Sequence, residues 1–180
     1  MVSQELNLNL QLEKLTKNHR LISKNFGGFL AEACSVCFDD QKHKSGTTLM
    51  IRGYLKGHAV ITWKFKVDNT IRASHNDPEV ATEYGAYAIA LLLICESLNQ
   101  TVIERARKGK GFDFWLGDSN APLFQNKKKL EVSGIRNGQD SEVKRRMKEK
   151  VERIKKYPNN FDSFIVVVEF SAPLSLIEKI

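Results

Sequence analysis

The chain has 180 residues, of which 42% are hydrophobic and 27% are charged, and its formal net charge is +7. This length suits one domain with a hydrophobic core, and the composition is ordinary for a soluble globular protein. The longest apolar run, residues 86–95, has about half the length that a membrane-spanning helix requires. The three cysteines are an odd number for disulfides, which favours a reducing compartment. We therefore expect a cytoplasmic protein with no membrane partner.

The first 76 residues are predicted to form a helix and a β-hairpin that pack on the rest of the chain. Apolar residues at helical spacing predict a helix over 21–38, although Gly27-Gly28 in its middle is unfavourable for a helix. Segments 47–52 and 58–67 are rich in Thr, Ile, Val, Trp and Phe and predict the two strands of the hairpin. The first twenty residues are polar enough to fray.

The remaining residues predict a regular alternation of helices and strands, and one globular domain overall. Asp77 can cap the free amides of a helix, and Pro78 suits its first position. The Asp140-Ser141 pair predicts a second helix start, and Pro158 a helix end. The predicted elements in chain order are a helix over 77–98, strands over 101–107, 112–116 and 130–135, a helix over about 140–157, and a buried strand over 164–170.

Two acidic residues stand on neighbouring predicted strands. Asp113 lies on the second strand of this series and is flanked by Phe112, Phe114 and Trp115. Asp is disfavoured inside strands, so an acid among such apolar neighbours needs a partner or a metal. Glu131 lies on the third strand, and two acids on adjacent strands can share a divalent cation. The alternative is that Asp113 is an ordinary acid at a strand edge.

Positive charge is concentrated on both sides of Glu131. Residues 142–156 contain eight Lys or Arg against three Glu, and Lys127, Lys128 and Lys129 come directly before the strand that carries the glutamate. Such stripes suit a polyanion. A basic helix alone is equally well explained as a solvated surface. Its position beside the acidic pair favours nucleic acid as the partner.

The order helix, strand, strand, strand, helix, strand, with Asp113 on the second strand and Glu131 on the third, resembles the catalytic core of the PD-(D/E)xK nuclease superfamily. The resemblance covers residues 77–171. It implies an α/β (α+β) protein with a restriction-endonuclease-like core, in which a mixed central sheet is flanked by helices. Residues 1–76 would then be an N-terminal extension of helix and β-hairpin. The implied activity is metal-dependent hydrolysis of phosphodiester bonds, with DNA favoured over RNA.

The resemblance also assigns roles to individual residues. Asp113, Glu131 and the main-chain carbonyl of Val132 would bind Mg²⁺ or Mn²⁺. Glu83 matches an acid that many relatives carry on the leading helix, although its position near the positive end of the helix dipole explains it equally well. Relatives often pair to cut two strands, which implies a homodimer. The backbone of the nucleic acid would be held by Lys127, Lys128, Lys129, Arg145 and Lys148.

Ser133 departs from the family pattern, because relatives carry a lysine at this position. That lysine holds the attacking water and stabilises developing negative charge, and a neutral hydroxyl cannot supply this charge. Three explanations are open. A cation from the following helix reaches back, with Lys144 the best placed and Lys148 one turn on; the metal acts alone; or the fold is retained and catalysis is lost.

The last explanation defines the alternative function, a catalytically inactive module of the same fold that binds nucleic acid or a protein. Ser133 favours this alternative, whereas retention of both Asp113 and Glu131 favours the enzyme. Restriction, phage defence and repair are all settings in which such nucleases work. The sequence leaves the choice among them open.

Overall fold

The computed structural model describes residues 5–17, 22–122, 125–156 and 161–180. Within these residues the chain forms a mixed α/β structure with one eight-stranded mixed sheet and four α-helices. The strands are β1 (Leu6–Gln11), β2 (Thr47–Gly53), β3 (Gly57–Thr62), β4 (Gln100–Arg105), β5 (Phe114–Asp118), β6 (Lys128–Ile135), β7 (Ser163–Glu169) and β8 (Leu174–Lys179). The helices are α1 (Lys24–Asp40), α2 (Asn69–Ser74), α3 (Pro78–Leu98) and α4 (Asp140–Lys155), and a 3₁₀ helix spans Leu12–Thr16.

The sheet has the strand order β1-β3-β2-β8-β7-β6-β5-β4. The pairs β1–β3, β2–β8 and β6–β7 are parallel, and the other neighbours are antiparallel. Every residue of the central strand β7 is buried. This confirms the prediction from its apolar sequence that the strand is covered on both faces. The strands from residues 5–76 belong to the same sheet, because β2 pairs with β8.

Helices cover both faces of the sheet around β6 and β7. On one face α3 packs on these strands and α1 packs on α3, and Leu130 and Val132 belong to the core between them. On the other face α4 places Val143 and Met147 against Ile135 of β6 and the outer face of β7. By length and composition alone, α3 is apolar enough to cross a membrane. Most of its residues are buried between α1 and the sheet, so the hydrophobic core accounts for that composition.

The two predicted helix starts had different outcomes. Asp77 accepts hydrogen bonds from the main-chain N–H groups of Glu79 at 2.9 Å and Val80 at 3.0 Å, and α3 begins at Pro78 as predicted. The predicted Asp140-Ser141 cap is wrong, because Asp140 is already helical and its carboxylate pairs with Arg52 and Lys144 instead. The predicted helix end at Pro158 lies outside the described residues.

Both predicted hairpins are present, and four described elements were missed, namely β1, the 3₁₀ helix, α2 and β8. β2 and β3 form one antiparallel pair, although β3 ends at Thr62 rather than at residue 67. β4 and β5 form the other, and Gly109 and Gly111 of its connection take positive φ angles of 90° and 80°. The expectation that the N-terminal residues fray was wrong for β1, which pairs with β3. The sequence also did not indicate α2 or β8.

The Gly27-Gly28 pair does not interrupt α1, because Gly27 is a packing contact. A Cβ atom at Gly27 would lie only 1.9 Å from the carbonyl oxygen of Leu15 in the 3₁₀ helix. At Gly28 the nearest atom to such a Cβ would be Thr16 Cγ2, at 3.9 Å. Gly27 therefore lets the backbone of α1 approach the N-terminal segment closely.

We expect Gly27→Ala to lower the free energy of unfolding by about 1–3 kcal/mol, the usual cost of forcing extra atoms into a packed site. Gly28→Ala is the matched control, since the same methyl group would make only an ordinary van der Waals contact with Thr16 Cγ2 and alanine favours a helix by about 1 kcal/mol. Urea unfolding followed by circular dichroism measures both. Equal stability of the two variants would contradict the packing role of Gly27.

Candidate functional site

Asp113 is held in place by both its main chain and its side chain. Its N–H donates to the carbonyl of Leu130 at 2.9 Å, and its carbonyl accepts from Ala106 at 2.8 Å. These bonds fix it between β4 and β6, directly before β5. The prediction that Asp113 lies on a strand over 112–116 is therefore wrong, because β5 begins at Phe114. Asp113 Oδ2 accepts a hydrogen bond from the N–H of Val132 at 2.8 Å. The carboxylate therefore accepts a hydrogen bond from β6 that a main-chain carbonyl of the neighbouring strand would otherwise accept. It lies where β5 and β6 separate.

Tyr87 of α3 connects Asp113 with Glu83. Its hydroxyl lies 2.9 Å from Asp113 Oδ1 and 2.7 Å from Glu83 Oε1. Burial and the negative charge of Asp113 raise the pKa of Tyr87 well above its usual value, so the phenol keeps its proton and donates it. α3 approaches β6 closely here, because a Cβ at Gly134 would lie 2.5 Å from the carbonyl oxygen of Thr82. This close packing brings Glu83 and Tyr87 to the edge of the sheet.

Glu131 is a buried carboxylate whose charge is only partly compensated. Its side chain is 1% exposed. Its Oε1 accepts hydrogen bonds from Lys150 Nζ at 2.6 Å and from Arg153, both on α4. Its Oε2 is buried and has no hydrogen-bond partner among the described residues. A buried oxygen without a partner is costly, so this atom is the natural position for a further ligand contact.

The protonation of Glu131 reflects this environment. Burial raises the pKa of its carboxyl from 4.5 to about 7, and the negative charge of Asp113 acts in the same direction. Lys150 and Arg153 oppose this rise by favouring the carboxylate. The group thus titrates near neutral pH, where small changes in bound charge alter its protonation.

These residues line a cleft of about 760 Å³ between α3, β6 and α4. A second cavity of about 550 Å³ lies beside it and is bounded by the β4–β5 connection. The two cavities share five residues, namely Glu83, Tyr87, Asp113, Glu131 and Arg153. The acidic cluster therefore lies in the middle of one continuous depression.

The donor atoms of the cleft suit a hard cation. Asp113 and Glu131 offer carboxylate oxygens, which Mg²⁺ and Mn²⁺ prefer, and Oε2 of Glu131 lacks a partner. Among the described residues, no group of three or more His, Cys, Asp or Glu is close enough to hold a metal ion. A cation here would therefore need main-chain or water oxygens in addition to the two acids.

The structure brings most of the predicted site residues together. Glu83, Asp113, Glu131, Val132 and Ser133 all line the main cleft. The predicted strand alternation is confirmed, because Glu131 and Ser133 contact α4 whereas Leu130 and Val132 face α3. The Ser133 hydroxyl accepts a hydrogen bond from Arg146 at 3.2 Å.

The cations that reach the cleft differ from those predicted on α4. Lys144 is 70% exposed, pairs with Asp140 at 2.6 Å and does not line the cleft, and neither does Lys148. The cations of α4 that do line it are Arg146, Lys150 and Arg153. Their spacing of four and then three residues puts them on one helix face, which the sequence alone could have indicated. The spacing of Glu83 and Tyr87, four residues apart on α3, is a similar signal that the sequence reasoning missed.

The cations predicted to bind the nucleic-acid backbone have different surroundings in the structure. Lys128 bonds to Asp118 and Gln100, both at 2.9 Å, and Arg145 pairs with Glu149 at 2.5 Å, so both are engaged within the protein. Lys127 Nζ lies 5.2 Å from the centre of the Trp115 ring. Lys129 is buried and lines a separate cavity.

The comparisons with known proteins add no relative to this geometry. Models of protein families, curated proteins and solved structures gave no significant match to the chain. A functional assignment therefore has to come from the arrangement of the side chains themselves.

The raised pKa of Glu131 predicts a specific dependence of stability on pH. Below pH 4.5 the carboxyl of Glu131 is protonated in both the folded and the unfolded chain. Between pH 4.5 and about 7 the folded chain keeps this proton whereas the unfolded chain releases it, so rising pH favours the unfolded chain. The free energy of unfolding of the wild type relative to Glu131→Gln should therefore decrease as pH rises from 4.5 to about 7. Urea unfolding of both proteins at a series of pH values measures this.

Asp118→Asn is a control of opposite sign. Hydrogen bonds from Lys128, Gln100 and Asn126 lower the pKa of Asp118 from 3.8 to about 2, so its contribution to stability is lost as pH falls from 3.8 towards 2. Between pH 4.5 and 7 the Asp118→Asn difference should stay constant. A wild type that gains stability relative to Glu131→Gln over that interval would refute the assigned direction.

Proposed function

We propose that this protein is a metal-dependent nuclease with a restriction-endonuclease-like core, which hydrolyses phosphodiester bonds in nucleic acid. The observation that carries the proposal is one cleft that contains Asp113, directly before β5, and Glu131 on the neighbouring strand β6, where Lys150 donates a hydrogen bond to Glu131. The element order supports it as well. α3, β4, β5, β6, α4 and β7 follow one another, the four strands are neighbours in the sheet, and the two helices cover opposite faces.

Asp113, Glu131 and the carbonyl of Val132 would hold Mg²⁺ or Mn²⁺. When bound, such an ion lowers the pKa of a coordinated water and neutralises charge on the scissile phosphate. The protein prepares the position of its ligands. Hydrogen bonds from Tyr87 and from the N–H of Val132 fix the Asp113 carboxylate, and Lys150 and Arg153 fix that of Glu131.

Lys150 would take the role of the lysine that relatives carry at the position of Ser133. Its side chain is 19% exposed and lines the cleft, and its Nζ lies 2.6 Å from Glu131 Oε1. From there it would orient the attacking water and stabilise negative charge on the phosphate oxygens. Arg146 and Arg153 add positive charge to the same wall of the cleft. Of the three explanations for Ser133, this arrangement favours a cation supplied by the following helix, with Lys150 in place of Lys144.

The second candidate is a catalytically inactive module of the same fold. One observation favours it: Oε1 of Glu131 is already paired with two cations, as in an ion cluster that only stabilises the fold. Such a module would bind nucleic acid or a protein through the same surface. A cytoplasmic location and a homodimer remain predictions under either function.

Cleavage of supercoiled plasmid, single-stranded DNA and RNA in Mg²⁺ or Mn²⁺ tests the proposal. We expect cutting of at least one substrate, which EDTA abolishes. Asp113→Asn and Glu131→Gln should each lose it, because each removes an anionic metal ligand while keeping the side-chain shape. A folded wild type that cuts none of the substrates with either metal would support the inactive module instead.

Substitution of individual cations on α4 tests the role of Lys150. Lys150→Met should reduce the cleavage rate about 10²- to 10³-fold, the usual effect of removing one charge-stabilising donor. Lys155→Ala is the matched control, an exposed lysine of the same helix that does not line the cleft, and its rate should stay at the wild-type level. Loss of activity in Lys144→Ala with normal activity in Lys150→Met would show that the lysine was assigned wrongly.

A further inference from the structure

A groove lined by aromatic rings and cations begins next to the acidic cleft. It has a volume of about 680 Å³, and the β4–β5 hairpin and the start of β7 form its walls. We call it the aromatic groove and define it by Arg105, Arg107, Phe112, Trp115, Lys129 and Phe161. None of these six residues has a role in the chemistry proposed above.

The aromatic rings of the groove form a connected row. Phe112 and Trp115 lie 4.6 Å apart between ring centres, and Trp115 and Phe161 lie 5.3 Å apart, both in edge-to-face geometry. Phe161 is 42% exposed, and Trp115 is half-buried. An exposed phenylalanine beside a partly exposed tryptophan contributes little to a core. The planes of the two rings are nearly perpendicular, at 80°, so each ring offers its own apolar surface to a ligand.

Arg105 of the groove pairs with Glu83 at 3.9 Å, but the other three cations of its lining form no ion pair with a described carboxylate. Lys129 is 6% exposed, its Nζ lies 5.0 Å from the centre of the Phe112 ring, and it forms no ion pair with a described carboxylate. Arg107 and Lys110 are exposed and likewise form no ion pair within the described part of the chain. The lining contains four cations and one acid, Glu104, a net charge of +3. Three cations without a described counterion around one groove favour an anionic ligand.

The aromatic groove is continuous with the proposed active site. The cavity beside the main cleft shares Arg105, Arg107 and Phe112 with the aromatic groove. The same cavity shares Asp113 and Glu131 with the cleft. A chain lying in the aromatic groove therefore leads directly to the two acids.

We propose that the aromatic groove binds a single-stranded segment of nucleic acid, with unpaired bases on Phe161 and Trp115 and phosphates on Arg107, Lys110 and Lys129. Cations alone would bind any polyanion, but the aromatic rings favour a ligand whose bases are unpaired. Bases in a duplex are stacked on each other and cannot lie on an aromatic side chain, whereas unpaired bases can. The proposal concerns binding. It rests on the proposed nuclease function in one respect only, namely that the bound strand continues to Asp113 and Glu131 as the substrate.

Binding in EDTA separates this proposal from cleavage. The full chain is titrated with fluorescein-labelled oligo-dT, oligo-rU and a DNA duplex, each of about 12 nucleotides per strand, at low salt. We expect both single strands to bind more tightly than the duplex and to quench tryptophan fluorescence. The chain has two tryptophans and Trp63 is buried, so Trp115→Phe should remove most of that quenching. The two single strands distinguish DNA from RNA as the source of the bases.

Substitution of the exposed ring provides the matched comparison. Phe161→Leu should weaken single-strand binding about 5- to 150-fold, the usual effect of losing one stacked base, and should leave duplex binding nearly unchanged. Tyr54→Leu, which alters an equally exposed ring outside the groove, should bind as the wild type does. Because Phe161 is exposed, its replacement should leave the fold intact, which circular dichroism verifies.

Tighter binding of the duplex than of either single strand would overturn the proposal, as would equal binding by Phe161→Leu and the wild type. Binding of an acidic peptide such as oligo-glutamate with the same Phe161 dependence would also overturn it, since the groove would then recognise charge without bases. If cleavage occurs but Phe161 has no effect on binding, the nuclease assignment holds and this inference fails. If single strands bind through Phe161 and nothing is cut, this inference holds and the nuclease assignment fails.

Discussion

The ion pair between the buried carboxylate of Glu131 and Lys150 is the interaction on which the site depends. A buried carboxylate is stable only with partners, and the partners come from a different element, α4. α4 must therefore pack on β6 and β7 at one particular rotation, which the contacts of Val143 and Met147 with the sheet establish. The apolar face of α4 thus positions its cationic face. The core on this side of the sheet and the chemistry of the cleft are consequently parts of one arrangement.

Asp113 is the complementary constraint on the other side of the cleft. β5 pairs with β6 from Phe114 to Leu116, and at Asp113 the side chain rather than the main chain accepts the next N–H. This separation of the strands opens the sheet edge and gives the carboxylate access to the cleft. Tyr87 links it to α3, which the close approach at Gly134 brings near. Asp113, directly before β5, and Glu131, on β6, thus line one cavity because the two segments diverge there.

The parts of the fold that could be predicted are those with local causes. The Asp77-Pro78 start of α3 needs only adjacent residues, and the apolar run in β7 reflects burial on both faces. β1 was missed because its stability comes from pairing with β3, which is distant in the sequence, and β8 lies between its sequence neighbour β7 and the distant strand β2. The false cap at Asp140 has a similar origin, since Arg52 from β2 competes for its carboxylate. Tertiary contacts, rather than local preference, decided these cases.

The sequence by itself determined that Asp113 borders one strand and that Glu131 stands on the next, where alternation directs Glu131 and Ser133 to one face. It also determined that a basic helix follows. Only the tertiary structure decided which cation of that helix meets Glu131, because a helix displays its lysines around its whole circumference and its rotation follows from packing. Lys144 points to Asp140, whereas Lys150 points to Glu131. The face of a strand on which a side chain lies follows from the local sequence, whereas the contact between a helix and a strand depends on how the two pack.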